Sequence, residues 1–522
     1  MQKFQKFRVF TVLLLSVLII PFNSCTDLEP DVFSDLTPAN FPTSEADIIS
    51  SYLNVYTNLY PMMNHGGYMS IQEISSDEMM IPQRGSDWFD GGIWLRTHRQ
   101  AFDPQDGQFN GAWSFLYQGA LKANIVIDAI QQSNLAEADK AIFLAELRTI
   151  RAYFYYQLTD SFGDVPLITE ESEAVTEPSA TPRADIFNFV INELDAAAND
   201  LSRETGAETY GRINYYANRA LASRFLLNAE VMTGSARWAD AAAAADEVIN
   251  GNAYSLEANY FANFDPDNDN GLQGTSENIW VIPYDAPATA GGFNIPQMTL
   301  HYSSQATFNL VDQPWNGYCT LQEFYESYED GDERKGVSGN QQIRGNFLAG
   351  PQFAVDGVTP ITDGSADDPG GIELVFTPEV NALEPNTFRQ AGARVFKYGY
   401  EIGSPNTIKN DFPIIRYAEV LMNKAEAMMR QNQSGYGTLV SMVRERAELG
   451  TVTDGEVTED FMLAERGREF FYEGTRRQDL IRFGKFTSPW FAKGGTPETA
   501  NIFPIPQPQL NANRNLTQNP GY

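Results

Sequence analysis

The chain has little of what most enzymes use for chemistry. Only two of its 522 residues are cysteine, Cys25 and Cys319, and only three are histidine, His65, His98 and His301. Two cysteines cannot build a disulfide framework, and no CxxC or Cys/His cluster supplies zinc-ligand spacing. There is no HExxH, no GxSxG elbow, no Walker loop and no GxGxxG. Zinc, serine-nucleophile and nucleotide chemistry therefore lack their usual carriers. Positive charge is also short: 36 Lys and Arg face 68 Asp and Glu, a formal net charge of −32. That sign repels phosphate backbones, which excludes nucleic acid as a partner. Apolar residues are not lacking. At 43% hydrophobic and 12% aromatic, the chain has the material for a large core.

The amino terminus reads as an address. Lys3, Lys6 and Arg8 precede an apolar run from Val9 to Ile20, broken only by Thr11 and Ser16. The run is short for a membrane span and fits a secretory h-region. Ser24 then precedes Cys25, which resembles a bacterial lipoprotein signal at residues 1–24 with Cys25 as the lipidated first residue. A cleaved signal with an incidental cysteine is the alternative. Asp27 and Glu29 resemble the acidic tag of surface-exposed lipoproteins in Bacteroidetes-type bacteria. Removing residues 1–24 deletes three positive charges and leaves −35, with 33 basic against 68 acidic residues.

Residues 25–250 read as a helical scaffold. Apolar positions recur at the 3.6-residue period over 46–60, 113–130 and 141–162, and Thr181-Pro182 opens a further helix to 201 with Pro at its first position. Leu221, Ala222 and Phe225, then Trp238, Ala241, Ala245 and Val248, follow the spacing of a tetratricopeptide helix pair, with a plain α-hairpin as the alternative. Between 251 and 411 Gly, Pro, Asn and Asp dominate, and only 278–283, 372–376 and 394–398 are strand-like. Long ordered loops of this kind are usually functional. Helices return at 416–431, 438–449 and 458–473 within a 412–522 segment that closes in a proline-spaced tail. The fold class is thus mostly α, with tetratricopeptide-like pairs supporting a loop-rich, irregular half.

Two features invite catalytic or metal readings. Glu465, Arg468 and Glu469, then Arg476, Asp479 and Arg482, present carboxylates at helical spacing, but every acid has a base nearby. Ion pairs that depress the carboxylates are expected, not the raised general acid of a glycosidase. Asp265, Asp267 and Asp269 match the first three ligands of an EF-hand, yet Asn270 stands where Gly is needed and Glu277 falls one residue late. No cofactor is required. A looser structural calcium site remains open beside a solvated acidic turn.

Several blocks then carry a family resemblance. They are Arg148 to Ile168 (RTIRAYFYYQLTDSFGDVPLI), Pro413 to Ala427 (PIIRYAEVLMNKAEA), Glu465 to Gly484 (ERGREFFYEGTRRQDLIRFG), and the ending FPIP followed by NLTQNPGY at 503–522. Together they resemble the SusD/RagB family of outer-membrane nutrient-binding lipoproteins. The resemblance implies a single SusD-like domain over 25–522, a lipid-anchored position on the outer face of the outer membrane, and a SusC-type TonB-dependent transporter as partner. It implies capture of an oligosaccharide with no reaction. A glycoside hydrolase and an oligopeptide-binding member of the same family are the rivals.

Sugar recognition needs flat rings for C–H faces and polar groups for hydroxyls. Three loops combine them: Arg84 to Trp94, Gly291 to Tyr302, and Gln313 to Tyr318. The starch-binding members imply an arc of aromatics from corresponding places. Carried over, Trp88 and Trp315 lead, followed by Tyr318, Tyr302 and Phe293, with Asp87, Arg84 and Asn316 as hydrogen-bonding neighbours. The acidic surface favours a neutral glucan, laminarin-like β-1,3-glucan first and α-glucan second.

Overall fold

The apolar stripes over 113–130, 141–162 and 186–201 are largely buried by the helices they form. The stripe over 46–60 (Ile49, Leu53, Tyr56, Tyr60) is not: the helix there buries Ile48, Tyr52 and Val55 instead and leaves Leu53 exposed. The computed structural model describes residues 45–170, 172, 175–284, 292–363 and 371–522. The signal segment, Cys25 and Gly291 lie outside the described residues. Helices run over Glu45–Thr57, Gly107–Gln132, Glu137–Phe162 and Arg183–Ala197. Two of these helices end short of expectation, at Thr57 and Ala197, and the start of the last one differs as well. Pro182 caps the last of these helices from outside, with ψ 139°, because Thr181 is drawn into a bridge with Val165 (N–H to O 2.9 Å) that holds the chain extended.

The two long helices, 107–132 and 137–162, pack along each other. Gly119 lets them close: a Cβ there would sit 2.3 Å from the Phe154 ring. Helices Tyr215–Leu227 and Trp238–Gly251 form the pair expected from its small residues. Leu221, Ala222, Phe225, Ala241, Ala245 and Val248 are all buried, and Tyr417–Arg430 packs against both helices. Tyr156 stacks on Phe225 at 3.7 Å and joins this pair to the long helices.

The irregular half is tied together by short antiparallel pairs. Asn278–Ile282 pairs with Phe412–Arg416, Phe347–Leu348 with Arg394–Val395, and Gly350–Pro351 with Val375–Phe376. A fourth pair, Met79–Met80 with Cys319–Thr320, has the greatest consequence for function. It brings the start of the first aromatic loop and the end of the third to one edge.

The charged carboxy-terminal block is internal. The helix expected to reach 473 stops at Phe470, because the chain turns there through a left-handed Tyr472 (φ 55°) and Gly474 (φ 75°). Arg334 bonds Asp332 at 2.8 Å, Glu465 at 2.8 Å and Glu469 at 3.1 Å, all fully buried. Arg466 and Arg482 hold Asp479 at 2.8 and 2.6 Å. Burial pushes the Glu465 carboxyl up, but Arg334, Arg468 and Arg444 outweigh it and hold it at about 2. Arg466 and Arg482 do the same for Asp479, also at about 2. These carboxylates are structural and carry no proton to donate at neutral pH.

Candidate ligand-binding groove

The first aromatic loop is built by backbone conformation. Trp88 (φ 62°), Asp90 (φ 43°), Gly91 (φ 65°) and Gly92 (φ 82°) all take left-handed dihedrals. For a residue as bulky as Trp this is strained, at a cost on the order of 1–3 kcal/mol, and such strain concentrates at functional sites. The loop is closed by two Arg84–Asp87 backbone bonds of 3.0 and 3.2 Å. The third loop rests on the short helix Ile295–Thr299. Trp315 N–H donates to the Gln297 carbonyl at 2.7 Å, and Gly317 and Tyr318 both donate to Met298 at 2.9 Å.

The two loops meet ring to ring. Trp88 Nε1–H donates to the Trp315 carbonyl at 2.7 Å. The indole centroids lie 6.5 Å apart, with planes tilted by 49°. Trp315 is 38% exposed, and Trp88 is half-buried over Gly317. Both rings line a groove of about 590 Å³, together with His65, Asp87, Asp90, Tyr302 and Gln313. Tyr302 donates its hydroxyl proton to Asp87, and burial together with that carboxylate pushes the phenol pKa up. Asp90 accepts from Trp94 Nε1 at 3.0 Å. Tyr302, Asp87, Trp88 and Trp315 therefore share one surface.

Four residues expected to touch ligand face inward instead. Tyr318 is fully buried, and its hydroxyl bonds Ser70 at 2.8 Å and His65 Nδ1 at 2.9 Å, so it forms the wall behind the groove. Arg84 is buried and spends its guanidinium on the carbonyls of Asn316 and Ala391, both at 2.9 Å, and of Phe388. Buried Asn316 donates to the Arg389 carbonyl at 3.1 Å and accepts from Arg394 at 2.8 Å. Phe293 is a core ring, 4.6 Å from Tyr398 and 5.9 Å from Tyr284. Arg84 and Asn316 brace the loops that present the tryptophans; none of the four is a contact surface.

His65 was not anticipated. Its ring lies 5.2 Å from Trp88, 5.3 Å from Trp94 and 5.9 Å from Trp315, so it floors the groove. Burial lowers its pKa, partly offset by Asp90, and favours the neutral ring. A lone histidine in a turn gives no sequence signal of this role. Away from the groove, Asp265 is engaged by Arg344 at 2.5 Å. Among the described residues no group of three or more His, Cys, Asp or Glu is placed to hold a metal ion.

Comparison with known proteins now places the chain. A model of the SusD family matches residues 276–522, and a second, described as starch-binding and associating with the outer membrane, matches residues 28–246. The chain belongs to the SusD family. The starch-binding protein SusD of Bacteroides thetaiotaomicron is 29% identical over 429 residues, 75% of each chain. SusD-like protein P2 of Formosa agariphila is 22% identical over 99% of this chain and 100% of its own. Among solved structures, a laminarin-binding SusD-like protein superposes with a TM-score of 0.71 at 22% identity, over 92% of this chain and all of the other. Surface glycan-binding protein A of Bacteroides thetaiotaomicron, solved with laminarihexaose, gives 0.72 at 21% identity, over 91% of this chain and 100% of its own.

Proposed function

We propose that the chain is a cell-surface lipoprotein that captures a neutral glucan in this groove and passes it to a SusC-type TonB-dependent transporter, without a reaction of its own. Cys25 would carry the lipid. The observation behind the reading is the tilted pair of indoles in an open groove. Two rings inclined by 49° suit successive faces of a curved chain better than those of a flat one. Asp87 and Asp90 supply acceptors for sugar hydroxyls and oppose sulfated or uronic chains. Starch-binding and laminarin-binding relatives support an α-glucan or a β-1,3-glucan, and the latter stays first.

Calorimetry tests the reading. Wild type should bind laminarin or starch oligosaccharides, and Trp315→Ala should weaken binding about tenfold or more, a loss of at least ~1.4 kcal/mol. The melting temperature should hold, since Trp315 is a third exposed or more. Unchanged affinity, binding confined to alginate or sulfated polymers, or release of new reducing ends would each refute it.

A further inference from the structure

The loop over residues 381–389 is locked onto the first aromatic loop. Gln83 and Gly85 donate their N–H groups to the carbonyls of Leu383 and Pro385 at 2.9 and 3.0 Å, and Thr387 N–H returns a bond to Gln83 at 3.1 Å. Glu384 pairs with Arg99 at 2.6 Å. Within the loop, Phe388 N–H donates to Asn381 Oδ1 at 2.8 Å, and the Phe388 carbonyl accepts from buried Arg84. The side chain so fixed is not used by the fold: Phe388 is 67% exposed. Only a third of its surface is removed from water, although its own backbone N–H and carbonyl are both bonded.

The next residue ties this loop to the groove itself. The Arg389 guanidinium lies 5.7 Å above the Tyr302 ring, and Tyr302 lines the groove. The Arg389 carbonyl is held by Asn316, the neighbour of Trp315 in the chain. Arg389 keeps part of its side chain in solvent, 3.7 Å from Asp363. An exposed ring on a bonded backbone beside a partly exposed fork of N–H donors sets an apolar face next to hydrogen-bond donors.

We infer that Phe388 and Arg389 form an outer subsite on the Tyr302 side of the groove, which engages the next sugar units of a neutral glucan long enough to pass the two indoles. Phe388 covers a C–H face, and Arg389 donates to hydroxyls. Because Arg84 and Asn381 already hold the backbone at Phe388, binding has only the two side chains left to order. The subsite rests on the capture reading above and sets a length preference within it.

The test is calorimetry with tri- and hexasaccharides of both the β-1,3-glucan and the α-1,4-glucan series, on wild type, Trp315→Ala, Phe388→Ala and Phe388→Trp. Trp315→Ala should weaken both lengths of the bound series. Phe388→Ala should weaken the hexasaccharide about fivefold and leave the trisaccharide within about twofold, with an unchanged melting temperature. Phe388→Trp should restore or tighten hexasaccharide binding. If Trp315→Ala acts as expected while Phe388→Ala leaves the hexasaccharide untouched, or weakens both lengths alike, the subsite is wrong and the capture reading stands. If wild type binds neither series, both fall together.

Discussion

A missing side chain decides the geometry of the groove. Gly317 has no positive φ, so its requirement is space and not conformation. A Cβ there would lie 2.4 Å from Cζ2 of the Trp88 ring, far inside contact distance. Gly317→Ala should therefore lift Trp88 off its seat and break its 2.7 Å bond to the Trp315 carbonyl. Glucan affinity is expected to fall about tenfold, as for a loss of the ring itself. A titration of Gly317→Ala that matches wild type would show that the Trp88 position does not matter. Trp88 and Trp315 were legible through the resemblance to starch-binding members. The missing helical or alternating periodicity of their loops did not by itself mark exposed rings, since Tyr318 and Phe293 come from loops of the same kind and are buried. The inward turn of Arg84 and Asn316 was not legible. Their partners are the carbonyls of Phe388, Arg389 and Ala391, up to 307 residues away, and no local pattern encodes such a closure.

Among the elements, the helices were readable and their ends less so. The 3.6-residue stripe is a local property, whereas the stop at Phe470 depends on a left-handed turn whose amides are received by Glu73 and Glu78 from the other end of the chain. The strands are mostly two residues long, too short for any alternation to register. What fixes the 459–470 helix is charge, visible in sequence as paired signs but not as a buried network. Glu469 receives Arg416 and Arg334, each at 3.1 Å, and Arg446 as well, and it is held well below the usual carboxylate range despite full burial. Glu469→Gln would leave three buried guanidiniums sharing fewer carboxylates. Removing one partner of such a network costs about 3–5 kcal/mol. Urea unfolding should show that loss as a lower midpoint, with glucan affinity unchanged where the variant is folded. A midpoint within error of wild type would mean that the network contributes specificity rather than stability.

For the whole molecule, the buried acids divide into two groups with opposite effects on stability. Glu465 and Asp479, at about 2, are ionised in the folded state well below their unfolded values, so their stabilisation is present above roughly pH 4–4.5 and lost as pH falls toward 2. His98, lowered to about 4 chiefly by burial, adds to this acid limb, because the unfolded chain takes up its proton first as pH drops below about 6.5. Glu73 works the other way. Burial pushes its carboxyl up to about 7, against the pull of the Gly474 amide that its Oε1 accepts at 2.8 Å. Glu78, buried beside it and raised by burial and by Glu73, accepts from Tyr472 N–H at 3.2 Å. The remaining oxygens, Glu73 Oε2 and Glu78 Oε1, have no hydrogen-bond partner among the described residues. Arg476 Nε stands 3.9 Å from Glu78 Oε1 and favours the charge there, which suits one proton shared between the two acids and held mainly by Glu73. The folded state then holds more protons than the unfolded one between about pH 4.5 and 7, and stability declines as that proton is withdrawn. Glu73→Gln imitates the protonated acid: its carbonyl can keep the Gly474 bond, and its amide can donate to Glu78 Oε1. The variant should melt close to wild type at pH 5 and measurably higher than wild type at pH 8. Scanning calorimetry at the two pH values decides it, because an equal shift at both, or a larger one at pH 5, would mean that Glu73 is already ionised in the folded protein. The turn at stake, 471–474, lies against the 68–74 helix whose Ser70 supports Tyr318 behind the groove. Loosening of this contact at alkaline pH would reach the binding surface through the same helix.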